Sequence, residues 1–449
     1  MKIIALNGLL GYGYTESALE NAFANDPDYI GVDAGSTDPG PYYLGRGNSF
    51  TNRSSVKRDL ELALPTAVKR KIPFIIGTAG GSGAKTHVDW LCGIVDEIAK
   101  EHQLSMKVAI VYADVSNEFV IQKFRKGYIS AMGVLEATEE SIAQSNRIVV
   151  QLSVEPVIRA LESGADLIIC GRLCDTAIYA APAIMEGYDP GLAFHMAKIM
   201  ECGSMCSEPV SASDVMMGEM TEDSFTLTPM NPIRRCTVRR VAAHTMYEQS
   251  DPVHIYEPDG VIDLTESRYE QVSERSVKVS GSRFIPGTVK TLKLEGTRLA
   301  GYRTIAIAGI HDLRTMMSIE IIEQGVREFL KENFKAYKED DYQIFFRKYG
   351  PTSEDVHEQY AGNLGLIIDV VAKTEEIADA VCAVARSRVL HYDYPGRKST
   401  AGNLAFPYSP SDIHMGAVYE FSLYHLCQVD DFAECSQTVW KEYHNGKIN

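Results

Sequence analysis

Short apolar runs alternate with helical stripes over the first 170 residues, and this rhythm constrains the fold more than any other feature. The strand candidates are Lys2–Leu6, Tyr29–Val32, Pro73–Ile76, Lys107–Val111, Ile148–Leu152 and Asp166–Ile169. Helical patterns lie between most of them; Val88, Leu91, Ile94, Val95 and Ile98, for example, repeat at three and four residues and make one apolar stripe. Strands this apolar, separated by helices, predict an α/β fold: a mostly parallel, doubly wound sheet in the N-terminal half, preferred over a barrel. Either architecture puts a ligand site at the carboxyl ends of the strands.

Those ends carry chemistry. Gly8, Gly11 and Gly13 follow the first strand, Asp33-Ala34-Gly35-Ser36 the second, Thr78 to Asp89 the third, Tyr112-Ala113-Asp114 the fourth and Cys170-Gly171-Arg172-Leu173-Cys174-Asp175 the last. The third loop joins a glycine turn directly to a helix start. Gly80, Gly81 and Gly83 there let backbone N–H groups approach a ligand, and Lys85 adds a full positive charge, so an anionic group is the expected guest. A plain tight turn between strand and helix has the same appearance. The glycine spacing matches neither the dinucleotide fingerprint nor the phosphate loop, so neither cofactor is expected. Asp33 opens a glycine- and proline-rich loop suited to a substrate or to simple turns. Arg172 offers a fork for a carboxylate or phosphate, and Asp175 beside it a base; an internal Arg–Asp pair tying the loop down fits equally.

Near residue 210 the texture changes to Thr- and Val-rich alternating runs, such as Ser276 to Val279 and Val289 to Leu294, which predict antiparallel strands. From Met316 a helix, strands Tyr342–Phe346 and Leu364–Val371 and a helix Glu375–Ser387 are expected. Two domains follow: an α/β domain over residues 1–210 and an α+β domain with antiparallel strands over 211–449. At their junction His244, Tyr247, Glu248, Asp251, His254 and Glu257 form a dense acid–base cluster suited to proton transfer, or an ordinary polar loop. Arg388, His391, Arg397, Lys398 and Asn403 form a later basic stretch, either an anion pocket or a solvated loop.

The 449 residues carry 44 basic and 60 acidic side chains, a net charge of −16 that disfavours nucleic acid and anionic membrane as partners. No apolar run reaches the roughly 18 residues of a membrane span, and Met1-Lys2 runs into strand rather than a signal peptide, so a cytoplasmic protein is expected. Nine scattered cysteines fit reduced thiols. The pairs Cys170/Cys174 and Cys202/Cys206 lack the usual two-residue spacing of structural zinc sites, and no metal is assigned.

The phrases GTAGGSGAKTH, ESGADLIICGRLCDTAIYAAPA, AHTMYEQSDPVHIYEPDGVIDLTESRYEQVSERSVKVSGSRF and LHYDYPGRKSTAGNLAFPYSPSDI resemble those of the acyclic terpene utilisation AtuA family along nearly the whole chain. The resemblance implies a catabolic protein, in a setting where branched acids are degraded as CoA thioesters. It implies no agreed catalytic set. Many relatives carry a small companion domain; the chain after Phe432 has no room for one, so a separate small partner protein is expected. The expected activity is lyase or hydratase chemistry on a small anionic branched hydroxy acid or its thioester, with no cofactor beyond CoA as part of the substrate. His244, Glu248 or Asp175 would be the base, while Arg172, Lys85 and the N–H groups of Gly80 to Gly83 would hold the anion, with Asp33, Tyr247, Arg388 and Asn403 also binding substrate. A noncatalytic scaffold for the partner and a metal-dependent isomerase are the alternatives. A homo-oligomer is expected.

Overall fold

A computed structural model describes residues 1–338, 340–351, 362–398 and 401–448. The chain forms two compact units, residues 1–298 with 421–449 and residues 299–420, and passes between them at 298–299 and 420–421.

The first unit is built on a mixed sheet of eleven strands. Five central strands are parallel, in the spatial order Lys2–Asn7, Tyr29–Asp33, Phe74–Gly77, Leu167–Cys170 and Met106–Tyr112. Each lies within a residue or two of its predicted place. They are apolar on both faces because both faces are covered: Ile3 and Ala5 enter one core and Ile4 and Leu6 the other, all at most 1% exposed. Helices Glu16–Ala24, Arg53–Arg70 and Lys85–Glu101 supply one of these cores, and Glu155–Glu162, Ala177–Met185 and Pro190–Met200 the other.

The sheet is mixed rather than mostly parallel. Asp214–Met220 pairs antiparallel with Lys2–Asn7 on one side, and Gln437–His444 pairs antiparallel with Met106–Tyr112 on the other. Residues just past 210 thus complete the first sheet, and the compact units divide elsewhere than at the change of texture. Strand Arg147–Gln151, read from sequence as part of the parallel set, pairs antiparallel with residues 293–297 instead. Its apolar core, Ile148 to Val150, satisfies either neighbour, so hydrophobicity alone does not choose between them.

The second unit has an antiparallel arrangement in which residues 302–310 pair with Leu364–Ala372, which pairs in turn with Tyr342–Tyr349. Helices Ile319–Asn333 and Glu375–His391 pack their apolar stripes on it through Ile322, Val326, Leu330, Val381 and Ala385. This matches the helix, strand, strand, helix order expected from Met316 onward. No helix among the described residues is long and apolar enough to cross a membrane.

Candidate functional site

The carboxyl ends of the parallel strands converge on one edge of the first unit. Strand Leu167–Cys170 lies between Phe74–Gly77 and Met106–Tyr112, so Arg172, two residues beyond it, emerges at the middle of that edge. Its Nε donates to Glu295 Oε2 at 2.8 Å, and Nη1 donates to the Leu173 carbonyl at 3.1 Å and Thr78 Oγ1 at 3.3 Å. Lys293 Nζ lies 2.8 Å from Glu295 Oε1, and Thr37 donates to the same oxygen at 2.9 Å. Burial opposes ionisation of Glu295, but Arg172 and Lys293 outweigh it and hold its pKa at about 2. The Arg172 guanidinium is thereby fixed in place, as a bidentate-capable cation must be to orient anything else.

Beside this ion triad stand two carboxylates. Asp175 Oδ1 is 3.5 Å from Arg172 Nη1 and accepts no hydrogen bond among the described residues, while the side chain as a whole is 32% exposed. Asp33, at the end of its strand, is 8% exposed and accepts the Gly35 N–H at 3.2 Å. Burial and the charge of Asp175 both push the Asp33 pKa well up. Burial raises Asp175 too, against the pull of Arg172, Lys198 and Lys293. Two like charges in one desolvated site disfavour joint ionisation, so each carboxyl holds its proton more firmly than a solvated one does.

Helix Pro190–Met200 brings a second charged pair to the cluster. Lys198 forms a buried ion pair with Glu201. Burial works against the Lys198 charge, yet Glu201, Glu248 and Asp175 together raise its pKa, so it is a cation. Glu201 is raised by burial despite Lys198. Glu257 accepts from Thr176 at 2.8 Å and from the Cys174 thiol at 3.2 Å, and burial lifts its pKa to about 7. Tyr179 Oη is buried nearby without a partner among the described residues; burial and Asp33 raise its pKa.

The segment after His244 closes on the same charges. His244, on helix Val238–Thr245, is 6% exposed, and burial with the Lys198 charge lowers its pKa to about 4, so the imidazole is neutral. Its Nε2 has no hydrogen-bond partner among the described residues, and its ring stacks on Tyr247 at 5.3 Å. Glu248 beside it raises the Tyr247 pKa, and the Glu248 φ of 61° is a left-handed conformation that a glutamate adopts only at a cost. Asp33, Arg172, Asp175, His244, Tyr247 and Glu248 are therefore brought to one cluster.

The glycine turn borders the cluster through its backbone. The N–H groups of Gly81 and Gly83 donate within the turn, to Thr78 and Ala79 carbonyls at 3.3 and 3.2 Å, and the Asp114 carboxylate faces the N–H of Lys85 at the helix start. Its glycines serve close approach. A Cβ on Gly83, whose φ is +69°, would lie 2.2 Å from Arg172 N, and one on Gly35 would lie 2.1 Å from the Gly81 carbonyl oxygen. Gly80 is packed against His87 in the same way. Lys85 is an exposed side chain, paired with Asp89 at 2.9 Å and lying over the Tyr112 ring. Arg388 and Asn403 belong to the second unit: Arg388 lies over the Phe329 ring, and Asn403 donates to the Val389 and Tyr392 carbonyls at 2.9 and 3.0 Å. All nine cysteines are free thiols, and no cluster of metal-ligating side chains occurs among the described residues.

Lys198, Glu201, Lys293, Glu295 and Tyr179 are members of the cluster that motif reading passed over. Lys198 carries a legible signal, a single lysine inside the helix PGLAFHMAKIM, whose other residues apart from His195 are apolar. Glu295 carries none, since a charged residue in an alternating strand ordinarily faces water.

The model of one protein family, the acyclic terpene utilisation family protein AtuA, matches residues 48–406. No curated protein and no solved structure matches the chain.

Proposed function

The chain belongs to the acyclic terpene utilisation AtuA family, which implies a role in acyclic terpene catabolism, and from that premise we propose an enzyme of lyase or hydratase chemistry. Its substrate is an anionic branched hydroxy acid or the corresponding CoA thioester.

The observation that carries this reading is the Asp33–Asp175 pair beside Arg172 and Lys198. Elimination of water needs one group to take the proton beside the carbonyl and another to give one to the leaving hydroxyl, while carbon–carbon cleavage needs one to take the hydroxyl proton and another to protonate the departing enolate. Two carboxyls in one site, both with pKa values raised by burial and one more strongly than the other, suit this division of roles. Asp175, the more exposed and the nearer to Arg172, is the base; Asp33, the more strongly raised, is the acid. Lys198 supplies the charge that attracts the substrate anion, and the neutral His244 offers its unpaired Nε2 to a substrate hydroxyl.

Thermal stabilisation of the purified chain by hydroxy acids and by acyl-CoA compounds tests the substrate class, because specific binding raises the melting temperature by mass action. Turnover of the stabilising compound should fall by about 10²–10⁴ in Asp175→Asn and in Asp33→Asn, with substrate binding retained. A flat response to both compound sets defeats the enzymatic reading and leaves the scaffold as its replacement.

A further inference from the structure

The second unit contains a groove of about 800 Å³ between helix Ile319–Asn333, the turn that follows it and strand Tyr342–Tyr349. Among the described residues four cations, Arg327, Lys331, Lys335 and Lys338, line it against one carboxylate, Glu328. The described lining is thus cationic on balance, with Lys335 also lying 3.7 Å from Glu332. Arg327 and Lys331 stand four residues apart on the helix, where like charges repel, and Lys335 follows just past its end. Lys331 has no ion-pair partner among the described residues, and Glu328 is engaged by Gln324 at 2.7 Å. Arg327 is held by the Ile344 carbonyl at 2.9 Å and lies 5.1 Å from the Phe346 ring, so its position is set from the strand side.

The same groove has an aromatic wall. Phe334 and Tyr337 stack nearly parallel at 5.4 Å, and Tyr342 meets Phe334 edge-on at 6.2 Å. Planar rings beside converging cations match a ligand that is itself a flat heterocycle joined to several phosphates: the ring stacks, and the charges take the phosphates. The cavity volume is in the range of small-molecule sites.

We propose that this groove binds a nucleoside polyphosphate, with the base against the Phe334, Tyr337 and Tyr342 rings and the phosphates on Arg327, Lys331 and Lys335. The shared chemistry is that of a free adenine nucleotide and of the nucleotide portion of CoA. The site does not rest on the reaction proposed above, since no residue of the Asp33–Asp175 cluster takes part.

Calorimetric titration of the full chain with ADP, CoA, adenosine and tripolyphosphate tests it. ADP or CoA should bind at least about tenfold more tightly than adenosine or tripolyphosphate, because each of those lacks one half of the ligand. Tighter binding of CoA names the thioester carrier as the source, and tighter binding of ADP names a free nucleotide. The double variant Lys331→Glu, Lys335→Glu should lose at least about tenfold in affinity, and Tyr337→Ala should weaken ADP but not tripolyphosphate. Failure of both ADP and CoA to bind, equal binding of tripolyphosphate, or unchanged CoA affinity in the double variant overturns the groove assignment and leaves the acid–base cluster untouched.

Discussion

Arg172 and Glu295, separated by 123 residues in sequence, meet through a 2.8 Å ion pair in which both side chains are at most 3% exposed. The pair ties the strand-end loop after Cys170 to the strand beginning at Thr291, and it anchors the floor of the acid–base cluster.

Removing the anion from that pair leaves Arg172 charged, buried and short of a partner. Glu295→Ala should lower the stability of the first unit by about 3–5 kcal/mol, read from denaturant midpoints. An unchanged midpoint would show that the pair does not hold the loop.

Gly83→Ala tests the contact between the glycine turn and Arg172. The new Cβ would clash with the Arg172 backbone and the left-handed φ would be strained, for a loss of about 2–4 kcal/mol in unfolding free energy. Gly164→Ala, also at positive φ but with open space around the Cβ, should cost only the backbone part.

Glu257 gives a pH signature. Its pKa rises from an ordinary 4.5 unfolded to about 7 folded because burial disfavours the charge. Between those values the unfolded chain ionises while the folded one keeps its proton, so this residue makes stability fall as pH rises from about 4.5 to about 7. Above that window its cost is constant. Melting curves of Glu257→Gln across the window should have a flatter pH dependence than the parent; a parallel pair of profiles would refute the assignment.

Lys198 and His244 are linked by charge. Lys198→Met should raise the His244 pKa from about 4, although burial keeps it below the usual imidazole value. Proton NMR of the His244 ring measures it, and a pKa that stays put would mean that burial alone sets it.

Much of the first unit is legible in sequence because its parallel strands are buried on both faces and read as continuous apolar runs. Tyr29–Asp33 is one such run, buried at all five positions. Pairing is less legible: Arg147–Gln151 and Leu167–Cys170 look alike as strings, and only the tertiary arrangement sends one to residues 293–297 and the other into the parallel set. The strand ends bring Asp33, Arg172 and Asp175 to one edge, but the strand pattern is silent on partners that arrive from afar. Lys198 comes from a helix and Glu295 from a strand whose alternation points charged residues outward by default. The glycine turn illustrates the converse. A pattern suited to holding an anion is also the pattern required where two backbones nearly touch, as Gly35 and Gly81 do.

The antiparallel pairing of Gln437–His444 with Met106–Tyr112 sets a timetable for biosynthesis. On the ribosome Met106–Tyr112 emerges more than 320 residues ahead of the strand that covers it. Until then an apolar strand has one unpaired edge, open to any other extended chain nearby. A ribosome stalled anywhere in that interval would release a product able to associate through this edge, so the late-made strand Gln437–His444 acts as a closing seam of the first unit.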